Sequence, residues 1–295
     1  MKSYKVAFIV ALPVIILLTM FCGSAYAITG NYQLDSTPYV GVVVFFNALQ
    51  QPICYCSGTL ISPTVMLTAG HGTYGASFAV VCFDQGPFSY SIQNGELTYY
   101  GTAPLYTGVT ITYPSYALNA AAGAKAKDAL SVSDLGVVIL DRPVQGVTKF
   151  PTLPTVNFDD KLSVGTSLKI IGYGVNDPTA VPTGGLTSWD GTLARNSAQV
   201  QLLSDHFAGH NKYIRCTTDP SHGRGGVSFG DSGGPVLYRE NGDSHSTLLA
   251  IHAYVDDNNN VSYHTRIDTP QVLNWIRGFV GSDNKCSIGI HQWEK

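Results

Sequence analysis

The stretch FGDSGGP, residues 229–235, sets a serine between an aspartate and two glycines, and a proline closes the run. Glycine has no Cβ atom, so it tolerates positive φ angles and lets other backbone come close. The stretch therefore predicts a tight turn that presents Ser232 to a bound molecule. A serine hydroxyl is a useful nucleophile only beside a base and a group that orients that base, so the rest of the chain decides its role.

A histidine that could act as the base lies in CSGTLISPTVMLTAGHG, residues 56–72. His71 follows an apolar, strand-like run and has a glycine on each side, which predicts an accessible ring that is free to turn. Taken alone, such a histidine is more often an ordinary surface-loop residue. Its interpretation as a base depends on finding a carboxylate that orients it.

A carboxylate that could orient the base lies in VSDLGVVILDRP, residues 132–143, where Asp134 directly precedes an apolar run. A carboxylate at the edge of a core stays ionised only when hydrogen-bond donors surround it. The plain alternative is a turn aspartate that caps the strand, and Asp128 and Asp141 compete with Asp134 if spacing alone is considered.

Together the three stretches resemble the chymotrypsin-like (trypsin-like) serine protease family. The family's histidine, aspartate and serine motifs match LTAGH, SDLGVVIL and GDSGGP in the expected order. The resemblance extends from Ile28 to the final helix. It implies an all-β fold of two antiparallel six-stranded Greek-key β-barrels with a C-terminal helix, and a catalytic site in the cleft between the barrels. The expected division is a signal peptide over 1–27, a first barrel over 28–148 and a second barrel with the helix over 149–295.

The resemblance assigns a role to each site residue. Ser232 is the nucleophile, His71 the general base and then general acid, and Asp134 the group that fixes the imidazole tautomer and stabilises the imidazolium. The backbone N–H groups of Gly230 and Ser232 form the oxyanion hole. The implied activity is a serine endopeptidase that passes through an acyl-enzyme, without metal or other cofactor and with polypeptides as substrates.

Asp231 and the start of the mature chain form a further expected pair. In the family this aspartate binds the free N-terminal amine, and the pair sets the oxyanion turn. Cleavage after Ala27 would expose Ile28 followed by a small residue and a glycine, which resembles the family's activated start. The hypothesis is that removal of the signal peptide itself releases the activating amine.

The first 27 residues have the pattern of a secretory signal peptide. Lys2 and Lys5 precede an apolar run from Val6 to Cys22, and Ala25-Tyr26-Ala27 offers small residues for cleavage. The run is short for a membrane span. Removal of the signal peptide leaves fifteen basic and twenty acidic side chains, which gives a net charge of −5. We expect a secreted (extracellular or periplasmic) monomer without membrane attachment after signal removal, and no nucleic-acid partner because no basic stripe is present.

Strand-like runs dominate the remainder of the chain. Only 13% of residues are charged, 31 residues are glycine, and the apolar runs are short and rich in Val, Ile, Phe and Tyr, as β-strands are.

Residues 270–280, which start at Pro270, are predicted to form a terminal helix. Residues 117–130 form either a short helix or a surface loop. The acidic turn 256–260 is read as solvated, with calcium as a weaker alternative.

The cysteines depart from the family pattern. Gly72 stands where the family has the cysteine that pairs with the C-S-G cysteine, so Cys56 needs another partner. Cys82 is the first choice and Cys54 competes for it. Ser228 replaces the family cysteine beside the specificity pocket. Cys216 and Cys286 either pair or stay free. Removal of the signal peptide would take Cys22, and the odd count of five remaining cysteines leaves at least one unpaired within the chain.

The expected substrate pocket is apolar. Gly226 occupies its base, where a preference for Lys or Arg would need an acid, and the family's serine and glycine on the substrate-binding strand are Ala253 and Val255. With Val227 and Phe229 nearby, the expected preference is for small or medium apolar residues. Two alternatives remain. One is a catalytically weak or inactive binding module with the protease fold. The other is an esterase or lipase, because GDSGG fits G-x-S-x-G, although a strand rather than a helix follows Ser232.

Overall fold

The computed structural model describes residue 28 and residues 31–93, 96–122, 132–174, 188–204, 211–218, 225–240, 242–256 and 260–280. The predicted signal peptide and Cys286 lie outside these residues. The strands are β1 Gln33–Leu34, β2 Val40–Phe46, β3 Pro52–Leu60, β4 Val65–Thr68, β5 Phe78–Cys82, β6 Phe88–Gln93, β7 Glu96–Tyr99, β8 Leu105–Thr112, β9 Gly136–Leu140, β10 Ser167–Gly172, β11 Ser188–Leu193, β12 Asn196–Ser204, β13 Tyr213–Thr217, β14 Pro235–Tyr238, β15 Thr247–Asp256 and β16 Val261–Arg266. The helices are α1 Gly70–Thr73, α2 Pro114–Ala121 and α3 Pro270–Arg277, with a 3₁₀ turn at Asp159–Lys161.

Two closed antiparallel barrels of six strands form the fold, as the sequence predicts. The first runs β2-β3-β4-β9-β8-β5 and closes where β5 pairs with β2. The second runs β12-β10-β14-β15-β16-β13 and closes where β13 pairs with β12. Each barrel therefore arranges its own strands in the order first, second, third, sixth, fifth, fourth. This shared Greek-key order means that one architecture is used twice in the chain.

A third, smaller sheet joins segments that the sequence assigned to different barrels. It has the order β11-β6-β7, with Gly191 opposite Tyr90 in the pairing of β11 and β6. The motifs give no signal for this sheet. It ties the chain between β5 and β8 to the chain between β10 and β12, so the two halves share backbone hydrogen bonds as well as side-chain packing.

Alternation along the strands divides the core into three clusters. Val43 lies in the cluster inside the first barrel, whereas its neighbour Val42 lies in the cluster between the barrels. Ile170 and Ile171 divide in the same way between the inside of the second barrel and the shared core. Successive side chains of a strand point to opposite faces, so each strand serves two cores at once. The barrels are thus packed against each other over a continuous apolar surface.

The C-terminal helix forms where the pattern predicted it. Pro270 takes the first turn, and Val272 and Ile276 lie four residues apart on the buried face that packs onto the shared core. The predicted helix or loop at 117–130 begins earlier than expected, because α2 starts at Pro114. Its remainder after residue 122 lies outside the described residues.

The Cys56–Cys82 disulfide that the sequence predicted is not formed, and both residues are free thiols. Cys56 packs inside the first barrel, whereas Cys82 packs in the core between the barrels. Their side chains therefore leave the sheet on opposite faces, which corrects the prediction. Cys56 instead faces Gly72, where an added Cβ atom would lie 2.9 Å from its Sγ. The first barrel thus keeps the orientation of the family's half-cystine without its partner.

Candidate active site

Strand pairing brings His71 and Asp134 together at one edge of the first barrel. Thr68, the last residue of β4, is paired with Gly136, the first residue of β9. His71 follows three residues after the end of β4, and Asp134 precedes β9 by two residues. Gly70 is required between them, because an added Cβ atom would lie 2.8 Å from the backbone nitrogen of Leu135. The register of β4 and β9 thus brings together two residues that lie 63 positions apart in the chain.

The carboxylate of Asp134 holds His71 at two points. Its Oδ1 accepts a hydrogen bond of 2.8 Å from the His71 backbone N–H, and its Oδ2 lies 2.7 Å from His71 Nδ1. The second barrel holds Asp134 in turn: the backbone N–H of Asp134 donates to the Tyr213 hydroxyl, and Thr265 Oγ1 donates to its carbonyl. With Nδ1 bound to the carboxylate, the imidazole has only Nε2 left for a reacting group.

The pKa of His71 is raised above its ordinary value of 6.5. Burial opposes this shift because it favours the neutral ring, whereas the charge and hydrogen bond of Asp134 favour the protonated ring. The His71 side chain is still 36% exposed, so we expect the burial effect to be modest and the carboxylate to prevail. The ring is therefore a stronger base than a free imidazole.

Ser232 lies in a turn that needs its glycines. Gly230 and Gly233 have φ angles of +94° and +86°, a region that favours glycine. A Cβ atom at Gly233 would collide with the carbonyl of Ser57 and with Thr68 Oγ1, both in the first barrel. The turn is fixed on both sides, since Ser57 N–H donates to the Ser232 carbonyl at 2.8 Å and Gly233 N–H donates to the His252 carbonyl at 2.8 Å. The turn that carries Ser232 is thus hydrogen-bonded to both barrels.

A cavity of about 300 Å³ opens in front of Ser232. It is lined by His71, Val227, Ser228, Phe229, Ser232, His252, Ala253, Tyr254 and Val255. His71 and Ser232 share this cavity, although no hydrogen bond joins their side chains among the described residues. Such contacts are often long without substrate and shorten when substrate binds.

Four of the five residues predicted to bind substrate line this cavity, and Gly226 does not. Gly226 packs against Thr218, where an added Cβ atom would lie 2.7 Å from the Thr218 Cβ. The walls are largely apolar.

Asp231 points away from the cavity and is fully buried. Its carboxylate accepts hydrogen bonds from the backbone N–H of Gly174 at 2.8 Å and of Ser228 at 2.7 Å, and from the Ser228 hydroxyl at 3.1 Å. Burial raises its pKa to about 7, although these donors and the backbone N–H of Ile28 act in the opposite direction. Ile28 itself is buried within the second barrel. The structure therefore places Ile28 and Asp231 side by side.

Sequence reasoning missed a buried pair of histidines, one of which, His252, lines the same cavity. His252 Nδ1 lies 3.0 Å from His264 Nδ1, and His264 Nε2 lies 2.8 Å from Ser262 Oγ. Burial lowers the pKa of His252 to about 3 and that of His264 well below its usual range, so both rings are neutral. The signal in the sequence is one histidine in each of two successive strand-like runs, but only the β15–β16 register shows that they meet.

Other kinds of site find no support among the described residues. In that part of the chain no three His, Cys, Asp or Glu side chains gather as a metal site requires. None of the described helices combines the length and hydropathy that crossing a membrane demands.

Comparison with known proteins gives one family. The family model described as Trypsin matches residues 31–276, and no curated protein matches the chain. The solved structure of a Glu endopeptidase is similar with a TM-score of 0.55 and 16% identity, over 84% of this chain and 96% of that one. An HL collagenase gives 0.53 and 17%, over 83% and 94%. An inactivated protease paralogue of the scabies mite gives 0.53 and 16%, over 85% and 98%.

Proposed function

The chain belongs to the trypsin family of serine proteases, and from this premise we propose that it is an active, secreted serine endopeptidase. One observation carries the proposal. His71 is bound through Nδ1 to the Asp134 carboxylate at 2.7 Å and lines the same cavity as Ser232. A base with a raised pKa, an orienting carboxylate and an accessible hydroxyl are the groups that acyl transfer needs.

The chemical steps follow from these positions. A peptide carbonyl enters the cavity, and Ser232 Oγ attacks it while His71 Nε2 takes the hydroxyl proton. Asp134 stabilises the imidazolium that forms. The imidazolium gives its proton to the leaving amine, which leaves an ester on Ser232. Water then attacks the ester with His71 again as base, so the enzyme is regenerated.

The backbone N–H groups of Gly230 and Ser232 would donate hydrogen bonds to the substrate oxygen and stabilise the negative charge that develops on it. A glycine at 230 supports this role because it leaves no side chain in the path of the oxygen. A donor of this kind is worth about 10²–10³ in rate.

The proposed activating group is the amine that cleavage before Ile28 would release. It would stand where the Ile28 backbone N–H already faces the Asp231 carboxylate. Burial raises the pKa of Asp231 to about 7 against the opposing effect of its hydrogen bonds, and a positive charge beside it would lower that pKa and keep the carboxylate ionised at neutral pH. Adding one residue before Ile28 is expected to lower activity sharply, and an unchanged rate contradicts this activation step.

The proposed preference is for a small or medium apolar residue before the scissile bond. Its support is the cavity wall formed by Val227, Ala253 and Val255. The described lining contains no acid, so cleavage after Lys or Arg is not expected. A peptide library that showed strong selection for Lys or Arg would refute the apolar preference.

An acidic residue at that position is a second candidate, favoured by His252. A neutral imidazole in the wall can donate one N–H to a carboxylate, and a bound carboxylate would in turn favour the protonated ring. A similar fold is named as a Glu endopeptidase. The same library decides between the candidates: selection for Glu or Asp that is lost in His252→Val supports the acidic preference.

An inactive binding module is the alternative that the fold alone leaves open, because an inactivated paralogue shares it. The test is casein cleavage together with labelling of Ser232 by a fluorophosphonate probe. Wild type is expected to cleave and to be labelled, and Ser232→Ala to do neither. A folded wild type that does neither is the inactive module, whereas one that splits short esters but no peptide favours the esterase. N-terminal sequencing of secreted material tests the proposed start at Ile28.

A further inference from the structure

Ser57 connects the first barrel to the turn that carries Ser232. It lies in β3, and none of its surface is exposed. Its hydroxyl donates to the Gly230 carbonyl at 2.9 Å and accepts from the Tyr173 backbone N–H at 2.9 Å. Its backbone N–H donates to the Ser232 carbonyl at 2.8 Å, and its carbonyl accepts from Thr68 Oγ1 at 2.8 Å. Every polar group of this buried residue is therefore used.

We infer that Ser57 is a positioning residue for the oxyanion turn, an inference that rests on the proposed function. It binds the carbonyls of Gly230 and Ser232, the two residues whose N–H groups are the proposed oxyanion donors. The main-chain bond to Ser232 would be available to almost any residue at position 57. The bond to Gly230 depends on the serine hydroxyl alone, so this chain has added a side-chain anchor to the turn.

The anchor matters because Gly230 is a glycine, whose backbone has little intrinsic preference for a single conformation. Glycine at a φ of +94° can exchange this conformation for others at little cost. Holding its carbonyl fixes the peptide plane that follows Gly230 and limits how its own N–H can turn. Oxyanion donors contribute through being oriented before the charge develops, so an unanchored donor loses part of its value.

The hydroxyl is itself held in place. Because Tyr173 N–H donates to Ser57 Oγ, the single hydroxyl proton is left for the Gly230 carbonyl. Tyr173 is fully buried and lies just beyond β10 of the second barrel. The bridge therefore runs from the end of β10 in the second barrel through Ser57 in the first barrel to the proposed oxyanion turn.

The test compares Ser57→Ala with Ser62→Ala in the full chain. Ser62 is a matched control, since it is equally buried and its Oγ accepts the Val65 backbone N–H at 3.1 Å, away from the cavity. In Ser57→Ala we expect kcat to fall by about 10–100-fold, less than the loss of a whole donor, with KM changed less than about threefold. A peptide aldehyde, whose adduct puts an oxygen among the donors, should lose affinity by the same factor. A reduced-bond peptide, which has no such oxygen, should bind unchanged.

Two further variants separate the hydroxyl from packing. Ser57→Thr and Ser57→Val have the same shape, so Thr should keep most of the activity that Val loses. Equal kcat in the two, or aldehyde binding in Ser57→Ala equal to that in Ser62→Ala, overturns the inference.

Crystal structures of wild type and Ser57→Ala test the hydrogen bond from Ser57 to the Gly230 carbonyl without any measurement of activity. We expect the Gly230 carbonyl to turn or to become multiply oriented in the variant. An unchanged Gly230 peptide overturns the inference even if wild type is inactive. An inactive wild type contradicts the proposed function instead, so the two failures are distinct.

Discussion

His71 and His252 both belong to hydrogen-bonded pairs on the same cavity, yet their surroundings drive them toward opposite protonation states. His71 is partly exposed, and Asp134 raises its pKa above 6.5 against the effect of burial. His252 is buried beside another imidazole, and its pKa falls to about 3. The comparison teaches that the partner and the solvent, rather than the residue type, decide whether a histidine is a base or a neutral hydrogen-bonding group.

The largest expected effect comes from removing the charge that distinguishes the two pairs. Asp134→Asn keeps the shape of the side chain but favours the wrong tautomer of His71, so kcat should fall by about 10⁴-fold. Steady-state kinetics on a peptide substrate measures this. The matched control is Asp141→Asn at the other end of β9, where the carboxylate is exposed and should be dispensable. A loss of less than tenfold in Asp134→Asn would mean that Asp134 does not orient the base.

The second prediction concerns stability in acid, where the two pairs act in opposite directions. His252 and His264 have native pKa values below the unfolded value of about 6.5, so they contribute stability above that pH and lose it as the pH falls. His71 has a raised native pKa, so its contribution is complete below about 6.5 and is lost as the pH rises through the native value.

In mild acid, the effect of His252 and His264 on the free energy of unfolding should exceed that of His71. Each buried histidine can lower the free energy of unfolding by up to about 1.4 kcal/mol per pH unit below 6.5. Urea unfolding of Ser232→Ala from pH 7 to pH 5 measures the slope without self-cleavage. Adding His252→Val and His264→Leu should make the slope shallower, and an unchanged slope would show that these rings are not the acid-sensitive groups.

Much of the fold was predictable from local patterns. The sequence predicts a strand rather than a helix directly after Ser232, where β14 forms, and the C-terminal helix starts at the predicted Pro270. His71 and Ser232 were predicted as site residues because glycines flank them and their stretches match the family's motifs. These signals are local: a strand's apolar run and a turn's glycines can be read within a few residues.

The features that sequence reasoning missed are set by pairing between distant residues. The His252–His264 contact depends on a register that shifts between His252 and Tyr254, an irregularity that no local pattern reveals. The buried Arg266, paired with Asp268 at 2.8 Å, and the cross-barrel bonds of Ser57 have the same origin. The disulfide prediction failed for this reason as well, because which face a cysteine occupies follows from strand register.

The third prediction concerns a variant that removes the His252–His264 contact and leaves the proposed catalytic residues unchanged. His264→Leu leaves His252 Nδ1 and Ser262 Oγ without their imidazole partner, so the free energy of unfolding should fall by about 1–3 kcal/mol. Cleavage at neutral pH should stay within a few-fold of wild type. His245→Leu, at an exposed histidine, is the control and should change stability by less than about 0.5 kcal/mol. Equal stability of the two variants would mean that the pair has no structural value.

The smallest expected effect is a displacement of the pH–rate profile, and it tests the raised pKa of His71 directly. Only the neutral ring can take the Ser232 proton, so kcat/KM should decrease about tenfold per pH unit below the pKa of His71. Because Asp134 raises that pKa, the midpoint should lie above 6.5, and activity should be lost at a higher pH than for a free imidazole. The residual activity of Asp134→Asn should have its midpoint moved to lower pH. The midpoint should not move in His264→Leu, because that imidazole is neutral throughout this range. A midpoint that followed His264 rather than Asp134 would show that the buried pair controls the base.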